Sequence, residues 1–304
     1  MGIVYMITHL NKKTSKPARV VVLGGKGFIG ATIIKQLEAN GINTLSIGRA
    51  EVDLLKAVNE KKLASLLEHG DTLLIAAALA PVKEFSLLLD NINMLRPIIF
   101  AANQVSLSHV IYVSSDAVYS DSSSPLTEIS ETNPESLHGI MHKTRELIIQ
   151  SEISKQFNIP LCIIRPTLIY GTKDPHNGYG PNKFLRLAFN GENISIFGMG
   201  EEQRDHVSVN DVANLTVQII LQKSSGVLNI ASGTTTSFRI IAEQIILLTK
   251  KPLKIIEVPR IGNMPHNGYR PFDSEATKLA FPDFNYTGIF EGLSRIVESQ
   301  RTPL

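Results

Sequence analysis

The run Val20-Val21-Val22-Leu23 enters Gly24-Gly25-Lys26-Gly27-Phe28-Ile29-Gly30 without a polar break, and a helical pattern follows at once. An apolar, β-branched run that is stopped by glycine and continued as a helix is the opening of a βαβ unit. It commits the chain to parallel strands joined by crossovers. Gly24, Gly27 and Gly30 make a G-x-x-G-x-x-G turn, with Phe28 and Ile29 at the start of the helix. The missing side chains admit a pyrophosphate to the helix N-terminus, where unpaired N–H groups face it.

The alternation continues downstream. Thr44 to Ile47, Thr72 to Ala76, His109 to Val113 and Leu161 to Arg165 read as strands, with helices near 28 to 39, 60 to 68, 86 to 103 and 137 to 157. Such a pattern predicts an α/β fold with a doubly wound parallel sheet. After Tyr170-Gly171 the texture changes to the loop TKDPHNGYGPN, followed by a helical stretch from Lys183 to Asn190. A strand near 226 to 230, a helix near 238 to 249 and a turn-rich section from Pro252 to Pro282 complete the chain.

Composition excludes several classes. With 43% hydrophobic and 19% charged residues, the 304-residue chain is neither disordered nor a coiled coil. Lys12, Lys13, Lys16 and Arg19 precede the first acidic residue, Glu38, so the chain from Val20 onward carries 26 basic against 28 acidic residues. A near-neutral body argues against nucleic acid as a partner. The single cysteine, Cys162, lies in an apolar run and reads as a buried thiol, in keeping with a cytoplasmic setting. The opening MGIVYMITHLNKK places its positive charges after its apolar stretch, the reverse of a secretory signal. No later stretch is expected to span a membrane. Residues 1 to 17 are expected to be a flexible leader, with Met6 as an alternative start.

The end of the second strand, Gly48-Arg49, decides the cofactor expectation. An acidic residue there would hold the adenosine ribose hydroxyls. Arg49 instead offers a guanidinium that pairs with a 2′-phosphate, so NADP is preferred and NAD is second; a solvated loop arginine is the bland alternative. Asp53, with Leu54, either touches the adenine edge or caps a helix.

The glycine turn, Tyr112-Val113-Ser114-Ser115-Asp116-Ala117-Val118-Tyr119 and Arg204-Asp205-His206-Val207-Ser208-Val209-Asn210-Asp211 together resemble the extended short-chain dehydrogenase/reductase family, the NAD-dependent epimerase/dehydratase group. Asn91, Arg165-Pro166, Leu228 to Gly233 and Arg270-Pro271 add to the likeness. The resemblance implies a Rossmann-type domain over residues 18 to 171, completed by about 206 to 231. It also implies a small C-terminal substrate-binding lobe from 172 to 205 and 232 to 304. A nucleotide-sugar substrate held between them, hydride exchange at a sugar carbon, a role in polysaccharide biosynthesis and a homodimer through helices near 86 to 103 and 137 to 157 follow from the same likeness. Ser115 matches the residue that hydrogen-bonds the reacting oxygen, Asn182 a residue near the substrate nucleotide, and Arg204 and Arg270 positions that hold its diphosphate.

One part of the pattern is missing. The family's Tyr-x-x-x-Lys pair falls in Ser136-Leu137-His138-Gly139-Ile140-Met141-His142-Lys143-Thr144-Arg145-Glu146. Gly139 and Glu146 set the register, so His138 takes the Tyr position and His142 the Lys position. An imidazole titrates near 6.5 and needs no neighbouring cation to reach neutral pH, so replacement of both residues is chemically coherent. Two alternatives stand beside a working histidine pair. One is a catalytically impaired sensor or regulatory subunit that keeps the fold. The other is a metal site, for which no third ligand is evident beyond Glu146 and none is assigned. His206 is expected to pack, Asp205 and Asp211 to orient backbone and arginine side chains, Lys83 and Glu84 to be solvated, and His176 and Asn177 to lie in a loop over the substrate.

Overall fold

The computed structural model describes residues 7–301. The chain runs β1 (Thr8–His9), β2 (Val20–Leu23), α1 (Phe28–Ala39), β3 (Thr44–Ile47), α2 (Asn59–Leu66), β4 (Thr72–Ile75), α3 (Phe85–Asn93), α4 (Leu95–Gln104), β5 (His109–Val113), α5 (Leu137–Ile149) and β6 (Leu161–Pro166). It continues with β7 (Leu168–Tyr170), α6 (Pro181–Asn190), β8 (Ile194–Phe197), β9 (Gln203–Ser208), α7 (Val209–Leu221), β10 (Ser224–Ile230), β11 (Thr235–Ser237), α8 (Phe238–Thr249), β12 (Ile255–Val258), β13 (Tyr269–Arg270), α9 (Glu275–Ala280) and α10 (Ile289–Arg301).

The central sheet has the order β1-β10-β6-β5-β4-β2-β3 and is parallel except for β1. β2, β4, β5 and β6 are buried along their whole length, which is why they are near-continuous apolar runs. Successive residues go to opposite faces. Leu23, Leu73 and Tyr112 pack with Leu63 of α2, Ile98 of α4 and Ile149 of α5. Val22, Leu74 and Ile111 pack with Ile33 of α1 and Val212 and Ile219 of α7 on the other side. The helices on both faces make the sheet doubly wound, as expected.

A smaller lobe holds a sheet in which β9 is flanked by β11, β13 and β7, together with the β8–β12 pair. Phe184 of α6, Phe238 and Ile241 of α8 and Leu293 of α10 fill its core. The expected boundary at 205/206 falls inside β9. Phe281 and its neighbours Phe284 and Tyr286, assigned to the lobe, pack against the central sheet instead.

Three other expectations are corrected. Residues 7 to 17 are not a loose leader: β1 pairs antiparallel with β10, and the His9 ring reaches Ser224 Oγ and the Ala280 carbonyl, each at 2.8 Å. The backbone N–H groups of Asn11 and Ser15 donate to the carbonyls of Gln222 and Leu221. Met6 and the residues before it lie outside the described residues. The helix expected over 86 to 103 is two helices meeting at Met94. Taken together, Phe85–Gln104 is long and apolar enough to cross a membrane by length and composition alone; here α4 packs into the core through Leu95, Ile98 and Ala101, while α3 buries Asn91 and leaves Phe85 and Leu89 exposed. The turn-rich C-terminal section contains β12, β13 and α9.

Candidate active site

The glycine turn owes its shape to backbone crowding. Gly24 has φ +84°, and a Cβ on it would lie 2.8 Å from the Ala77 amide nitrogen at the end of β4. A Cβ on Gly30 would lie 2.3 Å from the Gly24 carbonyl oxygen, so only glycine lets α1 start this close to β2. Gly27 caps α1 with no side-chain bond to its first-turn N–H groups, which leaves that end of a twelve-residue helix ready for an anion. The Phe28 ring reaches towards Gly171, just after β7, and Ile29 packs against the core beneath α1.

A cavity of about 220 Å³ opens from this turn, walled by Ala76 to Leu79 on one side and by Gly48, Arg49, Val52, Asp53 and Leu54 on the other. Its small residues and bare helix end fit a dinucleotide. Arg49 is 72% exposed, with only a 3.6 Å contact to Asp53. Asp53 does not cap a helix, since α2 begins at Asn59; its Oδ1 accepts from Leu55 N in a local turn. Sequence reasoning missed Lys26 and Glu51. The lysine stem lies over Gly48, its ammonium pairs with Glu51, and the same carboxylate accepts from Gly48 N at 2.9 Å. Nothing in a sequence links a glycine-turn lysine to a loop residue 25 positions away.

The opposite end is built on α5 and the turn after β5. Ser136 caps α5 by accepting from Gly139 N. A Cβ on Gly139 would lie 2.1 Å from the Ala117 carbonyl oxygen, so this glycine lets α5 abut the 3₁₀ turn that carries Ser115. Glu146, one face further along, holds Arg165 through two bonds at 2.9 and 2.7 Å and accepts from Ser114 Oγ at 2.6 Å. Lys143 lies on that side, 3.8 Å from Glu146. The histidines occupy another face of the helix, where His138 lies near Val82, Asp116 and His176 and His142 lies on Tyr112 of β5.

His138 and His142 meet edge to face, with ring centroids 4.8 Å apart. Burial pushes the His138 pKa below its ordinary value, against an opposing pull from Asp116 and with a smaller push from His176. Burial, then His138 and Arg145, depress His142 well below the usual range. Both rings are therefore neutral at neutral pH. The Val82 N–H points at His138 Nδ1 from 3.5 Å, the outer limit of a hydrogen bond. Ser115 Oγ accepts from Ala117 N and lies 3.2 Å from Asp116 Oδ1.

Across the cleft, Arg204 and Arg270 stand side by side in the parallel β9–β13 pair. Both are buried and already engaged. Arg204 pairs with Glu202 and donates to the Pro265 carbonyl, while Arg270 donates to Asp121 and to the carbonyls of Asp116 and Tyr119. Arg260 also donates to Glu202 at 2.8 Å; sequence reasoning missed Glu202, Arg260 and Asp121. Asn182 is tied into the chain: its amide accepts from Gly171 N and donates to Ile169 O and Asp174. It therefore shapes the loop over the cleft. His176 and Asn177 belong to the same local network, through Arg186. His206 packs on Phe238, Asp205 accepts from Gly233 N and Thr234 N, and Asp211 accepts from Thr287. Cys162 is buried, its thiol pushed up to about 12 by desolvation.

A parallel sheet whose first turn opens on a cavity lined by glycines and the bare N-terminus of α1, with the Ser115 turn and two imidazoles on the elements after β5, has the layout of a nucleotide-cofactor-binding α/β protein. Residues 20–231 match the NAD dependent epimerase/dehydratase family, and the chain belongs to it. Among relatives, the UDP-N-acetyl-alpha-D-glucosaminuronate decarboxylase of Bacillus cytotoxicus is 25% identical over 280 residues, covering 82% of this chain and 85% of that protein. The fold is also that of the Thermus thermophilus UDP-glucose 4-epimerase in complex with NAD (TM-score 0.79, 20% identity, 94% of this chain and 100% of that one). A GDP-L-fucose synthetase from Naegleria fowleri bound to NADP aligns with a TM-score of 0.82 at 16% identity, over 96% of this chain and 95% of the other.

Proposed function

We propose that the chain is an NAD(P)-dependent nucleotide-sugar enzyme that exchanges hydride at a sugar carbon, with His138 and His142 in place of the usual tyrosine and lysine. The observation that carries this reading is the paired imidazoles, stacked edge to face beside the Ser115 turn. A bound nicotinamide supplies hydride acceptance or donation. The protein supplies the rest. Ser115 Oγ hydrogen-bonds the reacting sugar oxygen and polarises it. The neutral His138 ring takes the proton of a carbinol as its C–H hydrogen leaves as hydride; in the reverse direction the protonated ring returns that proton. His142 orients the cofactor. A binding-only role rests solely on the missing dyad, and the paired imidazoles support a proton-exchanging group in its place.

The test is mass spectrometry of nucleotide-sugars and their 4-keto forms after incubation with the protein and 4-deuterated NADPH or NADH. Deuterium in a sugar is expected. Tight binding of both ligands with no transfer would leave only the binding role.

We assign NADP as the preferred cofactor, because the exposed Arg49 has no strong partner and stands at the cavity wall where a 2′-phosphate would lie. Arg49→Glu is expected to weaken NADPH about ten- to a hundredfold, the worth of a charge-assisted hydrogen bond, and NADH far less. Fluorescence titration reads both constants, and equal losses would remove the preference. The exposed Phe85, Leu89 and Leu147 on α3 and α5 support a homodimer through these helices. Sedimentation should show a dimer that Leu89→Arg with Leu147→Arg makes monomeric; a wild-type monomer would dispose of it.

A further inference from the structure

Tyr112 lies on β5, beneath α5, and is 1% exposed. It opens the segment that carries the family likeness, but the likeness gives it no role. Its hydroxyl lies 2.9 Å from His142 Nδ1, and the Arg145 guanidinium sits over its ring at 5.2 Å. Arg145 is fully buried and donates to the carbonyl oxygen of Ala77, in the cofactor cavity wall, and to Asn91 Oδ1. Asn91 in turn holds both the N–H and the carbonyl of Leu79. A single packed set of side chains thus joins the floor under His142 to the wall of the cofactor cavity.

The direction of the Tyr112–His142 bond follows from who else could take the phenolic proton. Among the described residues the hydroxyl has no other hydrogen-bond partner, and Arg145 has only donors to offer. Were His142 protonated on Nδ1, the phenolic oxygen would accept from it and the buried O–H would be left with no acceptor. Burial holds the phenol in its protonated form and the imidazole in its neutral form. The proton of the neutral ring is then on Nε2, which has no hydrogen-bond partner among the described residues.

We propose that Tyr112 is a positioning residue that sets the His142 tautomer, so that the ring presents an Nε2–H donor to a hydroxyl of the cofactor's ribose. The proposal rests on the NAD(P) reading for the identity of the acceptor, and on the Tyr112–His142 geometry for everything else. A histidine in the lysine position then keeps the one property needed there, a donor N–H, without the charge. The device is a hydrogen bond from below.

Long-range ¹H–¹⁵N correlation spectra of the unliganded protein distinguish a protonated from an unprotonated ring nitrogen, with His142→Ala identifying the signals. Wild type should show Nε2 protonated and Nδ1 bare. Tyr112→Phe keeps the ring under Arg145, and should give averaged shifts for two exchanging tautomers and about a tenfold weaker cofactor. In a His142→Ala background it should change affinity no further, which a merely structural role would not produce. A wild-type ring protonated on Nδ1, a tautomer unmoved by Tyr112→Phe, or a full affinity loss persisting in the His142→Ala background would each overturn the assignment. Because the spectra need no ligand, a chain that bound neither NADP nor NAD would sink the functional reading while the tautomer still decided this one.

Discussion

His138→Ala should lower hydride transfer by about 10²- to 10⁴-fold, the usual worth of a positioned general acid or base, while cofactor affinity stays near wild type. The split follows from position. His138 is half-buried at the cleft end of α5, beside Asp116 and against His142, whereas the glycine turn and Arg49 belong to the far end of the site. Single-turnover kinetics separates the two quantities, and an unchanged chemical step would remove the role assigned to His138. The pH dependence carries the same signature. A ring whose pKa is pushed below 6.5 by burial is neutral over the whole neutral range, so the oxidative direction should be flat there and fall only in acid, as the base becomes protonated. His138→Ala should abolish that acidic limb.

Glu146→Gln should cost about 3–5 kcal/mol of stability, because it strands a buried guanidinium. Arg165 is 5% exposed and Glu146 3%. Burial works to lower the Arg165 pKa, and the bidentate Glu146 together with the Tyr119 hydroxyl more than offsets it. The substitution leaves the carboxylate's place filled but its charge absent. Urea denaturation reads the loss, and a change below about 1 kcal/mol would show that the pair is dispensable. Glu146→Leu combined with Arg165→Met should recover much of it, since an apolar pair of similar volume has no charge to desolvate. The consequence reaches the site as well. Glu146 ties α5 to β6 and to Ser114 beside Ser115, so its loss should also blur the placement of His138.

How far these sites could be read in advance depended on the range of the forces that make them. The turn at Gly24, Gly27 and Gly30 was legible because its cause is local: residues adjacent in sequence crowd one another, and only glycine relieves it. The histidine register was legible through the family likeness, in which Gly139 and Glu146 anchor the Tyr and Lys positions, and the helical repeat then puts both rings on one face. The short strands β7, β9, β11 and β13 escaped notice, being held by neighbours far along the chain instead of by a periodic pattern of their own. Residues 7 to 17 were misjudged because a pair of backbone bonds to β10 and a histidine lodged at Ser224 leave no compositional trace.

By itself the sequence determined the doubly wound sheet, the cofactor turn and the alignment of His138 and His142 on one helical face. The sheet follows from the alternation of apolar runs and helical patterns through the first half of the chain, the turn and the histidine face from spacing within some ten residues, where backbone sterics and helical geometry act directly. Only the tertiary structure decided that Tyr112 lies under His142, that Arg204 and Arg270 share a strand pair already neutralised by Glu202 and Asp121, and that Lys26 bends over Gly48 to Glu51. Those meetings depend on packing between elements separated by up to about 150 residues, and the energies that select them are summed over whole cores.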